Sequence, residues 1–168
     1  MKTPLVELPI ATAEGNFLAH YSEKGLAGLN FPKTGRASSR AVATKQIPLL
    51  ILRWHRITTD ALKAMLAGRK PKVLPPLDWA GTTEFQQSVW RVMLAIPTGK
   101  TKSYGEVAKA IGNPKAVRAV GSACGANPIP VLVPCHRILA ANNKIGGFSS
   151  GLDWKRDLLK REKVEVRS

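Results

Sequence analysis

The stretch T-K-S-Y-G-E-V-A-K-A-I-G-N-P-K-A-V-R-A-V-G-S-A-C-G, from Thr101 to Gly125, decides how the chain folds. Ser103 and Glu106 stand three residues apart. At that spacing a serine hydroxyl and a glutamate side chain satisfy each other's orphan backbone N–H groups at a helix start. Val107 and Ile111 then share one helical face, and Gly112 breaks this short helix. Asn113 is placed to cap a second helix, with Pro114 at its first position, where a missing N–H is no loss. That helix runs through Val117, Arg118 and Val120 to about Cys124, with Gly125 beyond its end. Two short helices joined by a glycine-containing turn make a helix-turn-helix candidate, and the second carries Lys115 and Arg118. Helix pairs are also common in cores, so the pattern alone leaves both readings open.

Upstream, Thr83 and Gln86 repeat the capping-box spacing. Phe85, Val89, Val92, Met93 and Ile96 form one helical stripe, which Pro97-Thr98-Gly99 ends. R-K-P-K-V-L-P-P-L, residues 69–77, reads as a linker and divides the chain into residues 1–76 and 77–168. Before it, Thr58 or Thr59 can cap a helix through Ala67, with Leu62, Met65 and Leu66 inward and Gly68 as the stop. F-L-A-H-Y and L-A-G-L-N-F, on either side of Gly25, read as two strands. Residues 33–46 are small, polar and basic, and read as a mobile loop. Downstream, the prolines of I-P-V-L-V-P-C-H-R-I, residues 129–138, exclude a helix and argue against a central strand. A buried extended segment that turns near Cys135 is expected. A glycine-rich loop follows, and Ser150 caps a last helix with Leu152, Leu158 and Leu159 inward. The expected fold class is α/β (α+β): a small N-terminal α/β domain with antiparallel strands, then a mainly helical C-terminal domain with a winged helix-turn-helix-like motif.

With 44% hydrophobic and 22% charged residues among 168, the chain can bury a core. Its longest apolar runs are too short for a bilayer, and the proline and glutamate near the start do not suit a signal peptide. A cytoplasmic protein is expected, or a nuclear one in a eukaryote, with no membrane partner. The net charge of +15 favours a polyanion as partner. Residues 33–72 hold ten Lys/Arg against Asp60 alone, so +9 of that charge lies in one block. Two cysteines make no disulfide framework, and His20, His55 and His136 are too scattered for a metal site. No metal and no cofactor are expected. Without heptads or an exposed apolar stripe, a monomer is expected.

Cys135 sits between Pro134 and His136, after an apolar run and before two potential cations. It is either a small buried hydrophobe or a thiolate kept for reaction. His136 and Arg137 can favour the thiolate, which is the nucleophilic form. On an extended chain, however, neighbouring side chains point to opposite faces. Pairing of Cys135 with His136 therefore needs a turn or a bridging water.

The run P-C-H-R-I, preceded by R-A-V-G-S-A-C-G-A-N-P-I-P-V-L-V, resembles the active-site region of the O6-alkylguanine-DNA alkyltransferases, the methylated-DNA–protein-cysteine methyltransferases. The likeness extends in order through F-Q-Q-S-V-W, I-P-T-G-K-T-K-S-Y-G-E-V-A and G-N-P-K-A-V-R-A-V-G to G-G-F-S-S-G-L-D-W-K, over about residues 78–164. It implies double-stranded DNA containing alkylated guanine as partner, O4-alkylthymine being a further candidate substrate. Cys135 would take the alkyl group, once and irreversibly. The same resemblance implies a relay in which His136 is the base through a water, Glu162 orients it, and Asn127 holds the turn before the active-site segment. Arg118 would fill the gap left by a flipped nucleotide, with Lys115, Ala119 and Ser122 also on the DNA-binding face. Tyr104, Ile138, Phe148 and Ser149 would form the guanine pocket. Phe148 stands where a tyrosine is often found, Cys124 reads as a packing residue, and Gly125 stands where some members of the family have a basic residue. Alternatives from other classes are a non-catalytic damage-binding protein, which would lack the acceptor cysteine, a helix-turn-helix regulator, and a turnover Cys-His hydrolase.

Overall fold

A computed structural model of the chain describes residues 5–33 and 46–167. Residues 34–45, most of the loop expected at 33–46, therefore lie outside the described residues, with three of the ten basic residues of the block. Three antiparallel strands open the fold, β1 (Val6–Thr12), β2 (Gly15–Tyr21) and β3 (Leu26–Asn30), in the order β1-β2-β3. Alternation sorts their faces, as a period of two requires. Leu8 and Ile10 point inward with Phe17, Ala19 and Tyr21 of β2 and with Leu26 and Leu29 of β3. Helix α1 (Leu49–Leu66) lays Ile51, Trp54, Ala61, Leu62, Met65 and Leu66 into the same core. Each Leu, Ile, Phe or Met among them, fully buried, stabilises the fold by about 1.5–3 kcal/mol relative to exposure.

The segment read as a linker is pinned to the sheet. Leu26 N–H donates to the Pro76 carbonyl at 2.8 Å, and Asp78 N–H to the Leu26 carbonyl at 2.8 Å. From there α2 (Glu84–Leu94), α3 (Tyr104–Ala110) and α4 (Val117–Gly125) pack on one another, and α5 (Leu152–Arg161) closes the chain. Both capping boxes form, Thr83 with Gln86 and Ser103 with Glu106. Trp90 on α2 is 1% exposed and donates its indole N–H to the Ala123 carbonyl of α4 at 2.9 Å. A two-residue parallel pairing of β4 (Lys102–Ser103) with β5 (Ile138–Leu139) ties the start of α3 to the segment after Cys135. One apolar cluster runs without a break from Leu8 to Leu158, and Leu29 N–H donates to the Pro128 carbonyl across it at 2.9 Å.

Several boundaries differ from the sequence reading. Helix α1 begins at Leu49, so Thr58 is no cap; it is fully buried in the helix and its hydroxyl donates to the Trp54 carbonyl at 2.8 Å. Strand β1 was not anticipated. Helix α2 ends at Leu94, two residues before Ile96. Asn113 does not cap α4: its carbonyl closes a turn with Ala116 N–H, and the helix starts only at Val117 with Ala116 before it. Lys115 consequently sits in the turn and not on the helix, and Gly125 is the last residue of α4 and not beyond it. Ser150 does not cap α5 either, since Gly151 occupies that place at φ 102°, a backbone geometry that suits glycine.

Candidate active site

The segment that leads into Cys135 is held by Asn127. Its side-chain oxygen accepts from Ile129 N–H at 3.0 Å, and its amide donates to the Val133 carbonyl at 2.8 Å. Val133 N–H in turn donates to the Ile129 carbonyl at 3.0 Å. Inside this closed loop Val131 is held at φ 72°, a conformation that costs a β-branched residue about 1–3 kcal/mol. Pro134, at φ −81° and ψ 68°, then forms an inverse γ-turn closed by Cys135 N–H on the Val133 carbonyl at 2.8 Å. Cys135–Arg137 is a single 3-10 turn. With about three residues per turn, its side chains fan out roughly 120° apart. The opposite-face objection that holds for an extended chain does not apply here.

His136 and Arg137 both turn onto Glu162, the residue that ends α5. His136 Nε2 lies 2.9 Å from Glu162 Oε1. Arg137 grips both carboxylate oxygens, Nη2 to Oε1 at 2.8 Å and Nε to Oε2 at 3.0 Å, and donates Nη1 to the Ile96 carbonyl at 2.7 Å. Gly99 N–H adds a bond to Oε2 at 3.3 Å. Burial pushes the Glu162 carboxyl up, but the hydrogen bonds and charges of His136 and Arg137 outweigh it and hold the group at about 2. His136 is fully buried, and that burial lowers its basicity below the ordinary imidazole range despite Glu162. The arrangement is an ionised Glu162 charge-paired with Arg137, and a neutral His136 donating Nε2–H to it. His136 Nδ1 is left as an acceptor, buried and with no hydrogen-bond partner among the described residues.

Cys135 is 6% exposed, and burial pushes its thiol up; the Asn127 amide and the Lys155 ammonium pull the other way. It borders a cavity of about 330 Å³ lined by Tyr104, Gly121, Cys124, Gly125, Gly147, Phe148 and Ser149. Cys124 therefore shares the cavity, although burial pushes its thiol up to about 12 and keeps it protonated. Burial likewise raises Tyr104. Gly146 passes so close to this ring that an added Cβ would meet its hydroxyl at 3.1 Å. Ile138 is fully buried and does not border the cavity; its carbonyl accepts from Lys155. Arg118, Ala119, Ser122 and Gly125 are exposed along one face of α4, and Lys115 is exposed just before it.

Sequence reasoning missed two site residues. Lys155 is fully buried on α5, donating to the Ile138 carbonyl at 2.6 Å and the Gly147 carbonyl at 3.0 Å. Burial lowers its ammonium to about 8. The helical period held the signal, because position 155 shares a face with Leu158, Leu159 and Glu162. Arg137 was read as a neighbour of the thiol and proves to be the clamp on Glu162.

Fold and site define a protein that holds one cysteine at a 3-10 turn beside a histidine–carboxylate pair, with a helix-turn-helix forming the cavity wall. Residues 84–164 match the family model for the DNA binding domain of 6-O-methylguanine DNA methyltransferase. The methylated-DNA–protein-cysteine methyltransferase of Methanosarcina acetivorans is 43% identical over 148 residues, 88% of this chain and 92% of that protein. The crystal structure of Mycobacterium tuberculosis OGT in complex with DNA matches with a TM-score of 0.71 at 36% identity, over 94% of this chain and 92% of that one. The O6-methylguanine-DNA methyltransferase of Pyrococcus kodakaraensis matches with a TM-score of 0.62 at 26% identity, over 95% of this chain and 99% of that one. The chain belongs to the methylated-DNA–protein-cysteine methyltransferase family.

Proposed function

We propose that the chain repairs DNA by direct reversal, moving the alkyl group of O6-alkylguanine onto its own Cys135. The observation that carries the reading is a buried thiol in a base-sized cavity, next to a histidine whose tautomer a carboxylate fixes. The thiol is protonated at rest, so attack requires a base. Glu162 holds the Nε2–H of His136, and the free Nδ1 accepts the Cys135 proton through a water. Sulfur then bonds to the alkyl carbon, the carbon–oxygen bond breaks, and the proton removed from sulfur is made good on the leaving guanine. The thioether product offers water no acyl or phosphoryl centre, so each molecule reacts once.

The target atom is inaccessible inside a duplex, and the base must leave the stack to enter the cavity. The exposed face of α4 is the surface that meets DNA, with Arg118 filling the gap, and Lys115, Ala119 and Ser122 beside the backbone. Tyr104, Phe148 and Ser149 contact the extruded base. Asn127 holds the acceptor turn, and Lys155 lends the developing thiolate a positive charge. No helix among the described residues is long and apolar enough to cross a membrane. We read the protein as a cytoplasmic monomer, or a nuclear one in a eukaryotic cell. We read residues 1–76 as a supporting domain and 77–168 as the DNA-binding and acceptor domain.

The test mixes the protein with a duplex containing one O6-methylguanine and follows protein mass and base repair together. One methyl mapped to Cys135, repair that stops at one equivalent, and no uptake by Cys135→Ala are expected. Binding without a mass change would overturn the reading.

A further inference from the structure

Glu162 is gripped from inside the site by Arg137, His136 and Gly99, but it is also the residue at which α5 ends, with Lys163 at φ 61° immediately after it. Its carboxylate can be no better placed than that helix end. The neighbouring Arg161 fastens the end from the opposite side. Its Nη1 donates to Glu14 Oε1 in the turn between β1 and β2, and to the Leu66 carbonyl at the end of α1 at 2.8 Å. Its Nη2 meets Asp157 one turn back on α5 at 2.7 Å. Gly68 presses on the same point, since a Cβ built there would lie 2.1 Å from the Arg161 carbonyl oxygen. Two separate pieces of the N-terminal part, the β1–β2 turn and the end of α1 with the Gly68 that follows it, thus converge on one residue of α5. None of them touches the thiol, the cavity or the face of α4.

We propose that Arg161 is a positioning residue for the transfer reaction, using Glu14 and the end of α1 to hold Glu162 against His136. The proposal rests on the transfer reading above. It explains why residues remote from DNA and from the cavity bear on the chemistry: a carboxylate displaced by an ångström no longer fixes the imidazole tautomer. The charged groups that face His136 are Glu162 and Lys155 from α5 and Arg137 from its own turn. Loss of Arg161 weakens the Glu162 contact and leaves the other two, both cationic, in place. His136 then becomes a poorer base.

The experiment compares Arg161→Ala, Arg161→Lys and Glu14→Gln with the unsubstituted protein in single-turnover methyl transfer across pH. The endpoint counts active molecules, and the rate constant reports their chemistry. Arg161→Ala should reach the same endpoint with a rate constant about tenfold lower, and the midpoint of its acid limb should move to lower pH. Arg161→Lys should restore most of the rate. Glu14→Gln should reproduce part of the loss, and adding it to Arg161→Ala should cost little more, as expected of partners in one contact. His136 ring titration by NMR reads the same coupling without any transfer, and its midpoint should fall in Arg161→Ala. An unchanged rate constant and acid limb, or an unchanged His136 titration, would overturn the proposal. A merely structural role would lower the endpoint and the melting temperature and leave both midpoints where they were. Failure of the unsubstituted protein to take up methyl would count against the transfer reading, while the ring titration still judges Arg161. Should Arg161→Ala not fold, the lysine and Glu14→Gln variants carry the same comparison.

Discussion

Glu162 carries three obligations at once: it neutralises Arg137, fixes the tautomer of His136 and terminates α5. Glu162→Gln leaves the Arg137 guanidinium buried without a counter-charge. It should destabilise the protein by about 3 kcal/mol in denaturant unfolding, the usual scale for breaking a buried pair, and slow methyl transfer as well. The pH dependence follows from the two shifts. Glu162 lies at about 2 in the fold against an ordinary 4.5, so its contribution is complete above 4.5 and is lost as pH falls toward 2. His136 is also depressed below 6.5, because the fold keeps it neutral while the unfolded chain takes up a proton. Both effects have the same sign. Unfolding free energy should decline from pH 6.5 downward, and Glu162→Gln should flatten the part below pH 4.5. Lys155→Met removes the donor shared by the Ile138 and Gly147 carbonyls and a charge that favours the thiolate form of Cys135. It should lower both the melting temperature and the transfer rate, and a rate equal to that of the unsubstituted protein would deny Lys155 any part in the chemistry.

At the scale of elements, Gly68 makes the sharpest prediction. It stands at φ 72° against the backbone of Arg161, so Gly68→Ala meets both an unfavourable conformation and a backbone clash. A loss of at least about 2 kcal/mol is expected, read as a lower melting temperature. What could be foreseen of the elements depended on whether their signals were local. The capping boxes of α2 and α3 lie within four residues of sequence, and both helices start where that spacing puts them. The start of α1 could not be read in the same way: Pro48 precedes it without a side-chain cap, and Thr58 imitates one from inside the helix. Strand β1 was hidden by Pro9. A proline argues against a central strand, but β1 lies at the sheet edge, where a missing donor is tolerated. The turn at Cys135 was legible from the prolines before it, whereas the chemistry was legible only through the family resemblance of P-C-H-R-I and its flanking motifs. Of the partners of Glu162 only His136 was implied, by the resemblance; Gly99 and Arg137 were not, since they reach it from distant parts of the chain.

For the molecule as a whole, charge and core divide the work. The apolar cluster joins sheet and helices, so the acceptor turn rests on a framework to which both ends of the chain contribute. The net charge of +15 bears on the encounter with DNA and not on the fold. Duplex affinity should fall steeply with added salt, with a slope of about −0.9 per phosphate contact in a log–log plot. Lys115→Ala should reduce that slope by about one, whatever the sequence of the duplex. A slope unchanged by the substitution would remove Lys115 from the contact surface.

The hydrogen bond from Trp90 to the Ala123 carbonyl has an optical consequence. Its indole is buried against Trp79, with ring centroids 5.4 Å apart, and grips α4 one residue before the cavity thiol Cys124. Any shift of α4 on DNA docking would alter the polarity and hydrogen bonding of that fluorophore. With Trp54, Trp79 and Trp154 replaced by phenylalanine, the emission of Trp90 would be a label-free signal for docking, and its time course could be set beside the gain of mass at Cys135.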